Sequence, residues 1–206
     1  MNLISNDCAG GFVYKFCNLE FNNPFIWMRL QENDFYYTIK NYEKINFNNF
    51  EIDKSFIDER PHNKMDIFKL KIDDKIEIHY THYHFSAKDN KIRIVPPEIF
   101  YNKIWEYVVE KYTKRTKRML ELNEKPIFFV NFPRRKYTKN MRNKLLSENF
   151  KYKLIIITEN EEDLKYANDD KLILIDKVDI SSMEALPNKV VERHLDKIKE
   201  FINADN

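Results

Sequence analysis

Apolar residues along this chain come in two rhythms. In the C-terminal part, runs that are apolar almost throughout, "PIFFVNF" (126–132), "KLIIIT" (153–158) and "KLILID" (171–176), alternate with stretches whose apolar positions recur every three or four residues. Such runs read as strands buried on both faces, which implies a parallel sheet covered by helices. The intervening stretches predict helices over 138–148 (opened by Thr138), near 160–167, and from about 187 to 203. "NLIS" (2–5), ending in Asn6-Asp7, predicts another buried strand. Phe12, Val13, Phe16 and Cys17 then fall at helical spacing over 9–17. The expectation is one sheet in which 2–5 and the three later strands lie side by side.

The middle of the chain follows a different pattern. "DIFKLKIDDKIEIHYTHYHF" (66–85) alternates on both sides of Asp73-Asp74 and predicts an antiparallel hairpin. Pro96-Pro97 precedes a long helix at 98–122, striped by Ile99, Ile104, Trp105, Val108, Tyr112 and Met119 among others. Residues 31–41 predict a helix. Residues 21–28 read as irregular, pinned by Pro24, and 42–65 show no period. No repeat or linker divides the chain, so the expectation is a single α/β domain over 1–206. It would be three-layered, a mostly parallel sheet flanked by helices, with an inserted antiparallel hairpin.

Composition sharpens this picture at one point. The 206 residues include only two glycines, Gly10 and Gly11, where average usage would give about fourteen. Both stand in "NDCAGG", at the carboxyl end of the first strand and the start of the first helix. Ligands of open parallel sheets sit at that edge, and helix N-termini favour negative charge there. Glycines would leave the backbone bare for a ligand, and the same field would lower the pKa of Cys8. A tight strand-to-helix turn with Cys8 as a small filler is the alternative.

Net charge is +2, from 35 basic and 33 acidic side chains. That balance argues against a nucleic-acid partner. No apolar run reaches the roughly 20 residues of a membrane span, and no signal peptide is visible. The expectation is therefore a cytoplasmic protein with Cys8 and Cys17 reduced. The opening turn is neither G-x-G-x-x-G nor a Walker loop, and no cofactor is expected.

Two further groups carry candidate chemistry. In the cluster "HYTHYH" (His79, His82 and His84), His82 and His84 share a strand face and could ligate a metal together, with no third ligand or carboxylate evident, or offer a base to Cys8; ordinary strand histidines with satisfied ring nitrogens are the alternative. Arg115 and Arg118 share a face of the long helix, and Arg134 and Arg135 follow a strand. Arginine forks suit phosphate or carboxylate.

"ISNDCAGGFVYKFCNLEFNNPF", then "LKIDDKIEIHYTHYH", then a helix ending "KYTKRTKRM" resemble the bacterial family of unknown function numbered 1919. Its members carry an S-N-N-C-x-G-G opening, a Ser-Pro-Phe, an I-x-F-x-H-Y strand and a W-x-x-R-x-x-R-I helix. By position the resemblance marks Ser5, Asn6, Cys8, Gly10, Gly11, Pro24, Phe25, His82, Tyr83, Arg115 and Arg118. Asp7 stands where Asn is usual, Asn23 where Ser is usual, and Tyr112 where Trp is usual. "CNLEFNNPFIW" is also similar to papain-like cysteine peptidases, which implies Cys8 as nucleophile and His82 as base.

The resemblance implies a role in making capsule, lipopolysaccharide or exopolysaccharide. The substrate would be a glycan or an anionic donor, namely a sugar nucleotide, a sugar phosphate or an acyl donor. The expected enzyme is a transferase or hydrolase with Cys8, His82 and Asp7 as catalytic candidates. Asn6, Gly10, Gly11, Tyr83, His84, Arg115, Arg118, Arg134 and Arg135 are its ligand-binding candidates. The alternative is a non-catalytic module that binds a phosphorylated sugar or a partner enzyme.

Overall fold

A computed structural model describes residues 1–26, 28–53, 68–80, 97–133, 137–179 and 181–204; side chains at 52–53, 68–69, 79–80 and 97–108 lie outside the description. In chain order the elements are β1 (Asn2–Ser5), α1 (Ala9–Phe16), β2 (Met28–Leu30), α2 (Glu32–Asn41), β3 (Phe50–Asp53), β4 (Phe68–Ile72), β5 (Ile76–Tyr80) and α3 (Pro97–Leu122). They continue with β6 (Pro126–Asn131), α4 (Lys139–Ser147), β7 (Leu154–Thr158), β8 (Lys171–Ile175) and α5 (Pro187–Asn203).

The expected sheet is present. Its order is β1-β6-β7-β8, parallel throughout, with Leu3 opposite Ile127, Phe129 opposite Ile155 and Ile157 opposite Leu174. Alternation along each strand splits the core in two. Leu3, Ile127, Phe129, Ile155, Ile157 and Leu174 pack with Ala9 and Val13 of α1 and with Val190, Val191 and Ile198 of α5. Ile4, Phe128, Val130, Leu154, Ile156 and Ile173 pack with Phe35 and Ile39 of α2 and with Met141, Leu145 and Leu146 of α4. Burial on both faces is why the strands carry no polar alternation; each such side chain contributes about 1.5–3 kcal/mol over an exposed one.

The hairpin is also as expected, β4 turning into β5 through Asp73-Asp74, but it belongs to a larger unit. β2 and β3 complete a second, antiparallel sheet of order β2-β5-β4-β3. The stretch around 28 and the aperiodic segment up to residue 53 therefore each supply a strand. β2 and β3 have only three and four residues, too short for a period to show. Met28, Leu30, Leu70, Ile72, Ile76 and Ile78 from this sheet join the α2/α4 core.

Among the described residues every left-handed position is an Asn or Asp: Asn18, Asp73, Asp74 and Asn123, with φ between 46° and 53°. Asn and Asp tolerate that region better than other side chains. A chain almost without glycine thus turns its corners with Asx residues. That leaves its two glycines for another purpose.

The helices share one direction. α1 leaves the carboxyl end of β1. Leu30, just before α2, donates its N–H to Asn6 O at 3.3 Å, and Tyr137, just before α4, accepts from Asn6 Nδ2 at 3.1 Å. Their far ends meet the amino edge: Tyr42 after α2 accepts from Asn2 Nδ2, Leu146 O of α4 accepts from Lys171 Nζ, and Phe201 O of α5 accepts from Lys153 Nζ. Helix N-termini and strand carboxyl ends therefore gather on the same side.

Candidate functional site

The carboxyl edge holds a concentration of buried polar side chains: Ser5, Asn6, Asp7, Asn131, Thr158 and Asp176. The end of β1 is ordered by its own residues. Asp7 Oδ1 accepts Ala9 N–H at 2.8 Å, and Ser5 Oγ accepts Asp7 N–H at 3.3 Å, closing the turn into α1. Asn6 bolts the strands together: its Oδ1 accepts Asn131 N–H at 3.3 Å, and its own N–H donates to Phe129 O at 3.1 Å. Asn6 is a positioning residue of this edge.

Cys8 is the N-cap of α1, with no side-chain capping bond, and is 5% exposed. Cys17 caps the other end and is partly exposed; burial pushes its thiol up, opposed by Lys199. Nine steps of 1.5 Å along the helix separate the two by about 13–14 Å, beyond disulfide reach. Neither cysteine is in a disulfide.

Gly10 lies inside the helix rather than in the turn. A Cβ there would stand 2.6 Å from Ser5 Cβ and 3.0 Å from Leu3 Cδ2. Glycine is needed because α1 lies directly against β1. This is the answer the composition asked for at Gly10: close helix-to-strand packing. Gly11 is likewise helical and buried.

On the face that carries α1 and α5, sequence reasoning missed four residues, Asn131, Asp176, Arg193 and His194. Asn131 ends β6 and is 1% exposed, and Asp176 follows β8 and is 6% exposed. Both line a cleft with Pro133, Ile157, Val178, Ala185 and Val190. Behind Asp176 stands α5: Arg193 Nη2 meets its Oδ2 at 2.8 Å and His194 Nε2 at 3.3 Å, while Val178 N–H donates to Oδ1 at 3.3 Å. Burial lowers the His194 pKa, with Asp176 pulling the other way. The signal that could have found Asn131 and Asp176 is positional: each is a polar residue at the end of an apolar run, where a parallel sheet offers its edge.

The remaining candidates are scattered or outside the described residues. Arg115 is buried, donates from Nη1 to Ile26 O at 3.2 Å, and lies 5.6 Å from the Phe21 ring. Arg118 pairs with Glu20 at 2.5 Å and shares a surface cleft with Met1, at the amino end of β1. Both arginines thus hold the 20–26 loop, and Arg118 lies at the opposite edge from Cys8. His79 stands in β5, opposite Arg29 and Lys69. His82, Tyr83, His84, Arg134 and Arg135 lie outside the described residues. Among the described residues no group of three or more His, Cys, Asp or Glu could hold a metal ion, and no helix is long and apolar enough to cross a membrane.

The fold is thus an α/β protein with a parallel sheet whose carboxyl edge gathers buried polar groups. Residues 1–93 match the family described as Domain of unknown function (DUF1919). The family expectation is borne out over that part of the chain, which holds β1, α1 and the antiparallel sheet. No curated protein matches the chain.

Proposed function

We propose that the protein is an enzyme of bacterial surface-polysaccharide biosynthesis. It would be a transferase or hydrolase acting on a glycan or its activated anionic donor at the carboxyl edge of the parallel sheet, with Cys8 as nucleophile. The polysaccharide role rests on the family resemblance. The observation that supports the chemistry is the position of Cys8, at the N-terminus of α1 and directly after buried Asn6 and Asp7. A helix N-terminus favours the thiolate over the thiol, and the same end of the sheet would receive an anionic donor. His82 is the proposed base.

The 5% exposure of Cys8 favours a second reading, a module that binds a phosphorylated sugar without turnover. Iodoacetamide alkylation followed across pH, with mass-spectrometric site assignment, separates the two. A nucleophilic Cys8 reacts below the free-thiol pKa of about 8.5 and faster than Cys17, and His82→Ala moves its titration upward. A Cys8 that stays unmodified while Cys17 reacts ends the nucleophile assignment. A thermal-shift screen of sugar nucleotides, sugar phosphates and coenzyme A then names the ligand class.

A further inference from the structure

The cleft between the ends of β6 and β8 is narrow. The space in it open to the centre of a water molecule is about 10 Å³, close to what one water needs. A sugar ring or phosphate does not fit there. A lone oxygen does, provided it finds two or more polar partners. The walls supply an amide from Asn131 and a carboxylate from Asp176, with an aliphatic surround from Ile157, Val178, Ala185 and Val190.

We propose that this cleft seats the attacking oxygen of the reaction, a water or one hydroxyl of the acceptor, between the Asn131 amide and the Asp176 carboxylate. The proposal rests on the reading that Cys8 forms a covalent intermediate at the same edge. Adjacency supports it: Asn131 N–H is bonded to Asn6 Oδ1 at 3.3 Å, and Cys8 lies two residues beyond Asn6. Asp176 accepts a hydrogen bond from the oxygen and aims it. Arg193 and His194 are positioning residues, holding the carboxylate from behind at 2.8 and 3.3 Å. Such supporting contacts are what give a small site its precision.

For an acyl group on Cys8 the step balances without a further reactant. The water oxygen bonds to the acyl carbon as the carbon–sulfur bond breaks. Sulfur keeps the electron pair and receives the water's proton, so a carboxylic acid and free Cys8 result. With a sugar hydroxyl in the seat, the product is an ester.

The test uses the full chain and p-nitrophenyl acetate. Acylation of Cys8 gives a burst of p-nitrophenolate, and release of the acetyl group sets the steady rate that follows. Asp176→Asn and Asn131→Ala, each checked for folding by circular dichroism, should lower the steady rate relative to the burst rate by about tenfold or more, as misplacing a reacting group does. Adding methyl glucoside distinguishes the two oxygen sources: an acetylated glucoside whose yield drops in both variants assigns the seat to an acceptor hydroxyl, and acetate alone assigns it to water. A steady-to-burst ratio unchanged in both variants overturns the seat. A crystal structure of the same chain provides a second readout, an ordered solvent oxygen within hydrogen-bond distance of both side chains; a dry cleft overturns the proposal whatever the kinetics. Absence of any burst that Cys8→Ser removes counts instead against the Cys8 reading, and the crystallographic result still decides the seat.

Discussion

The two edges of the parallel sheet are built from opposite chemistry. At the carboxyl edge the buried groups are carboxylates, amides and hydroxyls: Asp7, Asp176, Asn6, Asn131, Ser5 and Thr158. At the amino edge, beside the buried Asn2 amide, lysines are set on carbonyls: buried Lys171 Nζ donates to Leu146 O and Glu148 O, and half-buried Lys153 Nζ to Phe201 O. The helices explain the sorting. Because α1, α2, α4 and α5 run the same way, their unpaired N–H groups face one edge and their unpaired carbonyls the other. Asp7 caps the Ala9 N–H and Lys171 caps carbonyls for the same electrostatic reason. The edges differ in shape too. Clefts of about 340 and 320 Å³ open at the amino edge, whereas the space between Asn131 and Asp176 is about 10 Å³. The larger clefts mix exposed side chains such as Asn168, Asp169 and Glu20 with buried ones, whereas the smaller is lined only by buried and half-buried ones.

The strongest way to break this comparison is at Gly10, which sets how closely α1 approaches β1 at the carboxyl edge. Gly10→Val should destabilise the fold by about 3 kcal/mol, the upper range for overpacking, read as a lower urea midpoint with an unchanged slope. A Val variant as stable as the parent would mean that α1 does not lie on β1 as described.

At the amino edge, Lys171→Met removes the ammonium but keeps the bulk of the side chain. Two carbonyls then lose their donor, and the expected loss is about 2 kcal/mol by denaturant unfolding. Burial already lowers the Lys171 pKa, with Glu148 opposing, so Lys171→Arg should not fully restore stability. A Met variant within about 0.5 kcal/mol of the parent would place Lys171 among ordinary surface substitutions and end the carbonyl-capping account.

The smallest expected effect sharpens the carboxyl edge. The His194 pKa is held below its usual value by burial, while Asp176 pulls it up and Arg193 and Lys197 push it down. The unfolded chain therefore binds this proton more readily than the folded one. The stability that follows is complete above the unfolded value of about 6.5 and is lost as pH falls through the folded value. Thermal unfolding of the parent between about pH 7 and 5 should fall more steeply than that of His194→Gln, given the imidazole's unfolded value near 6.5. Parallel slopes would remove His194 from the acid response.

Much of this was legible in the sequence, for identifiable reasons. β6, β7 and β8 were readable because strands covered on both sides need unbroken apolar runs. α5 was readable because Val190, Val191 and Ile198 recur at helical spacing. The β4-β5 hairpin showed through its alternation and its Asp-Asp turn. β2 and β3 did not show, since strands of three and four residues carry too little periodicity and take their place from pairing with β5 and β4. At the candidate site, Asn6, Asp7 and Cys8 were visible because they interrupt an apolar run beside the glycines. Asn131, Asp176 and His194 were not, because 45 residues separate the first two and 18 the last two.

By itself, then, the sequence determined the layer architecture and which residues end each strand, since burial and strand ends are local matters of apolarity and period. Tertiary structure alone decided what those ends do. It spent Arg115 and Arg118 on the 20–26 loop and Gly10 on a helix-to-strand contact. It also brought Asn131 and Asp176 to one cleft with Arg193 and His194 behind it. Such assignments depend on distances between segments far apart in the chain, and no local pattern of side chains encodes them.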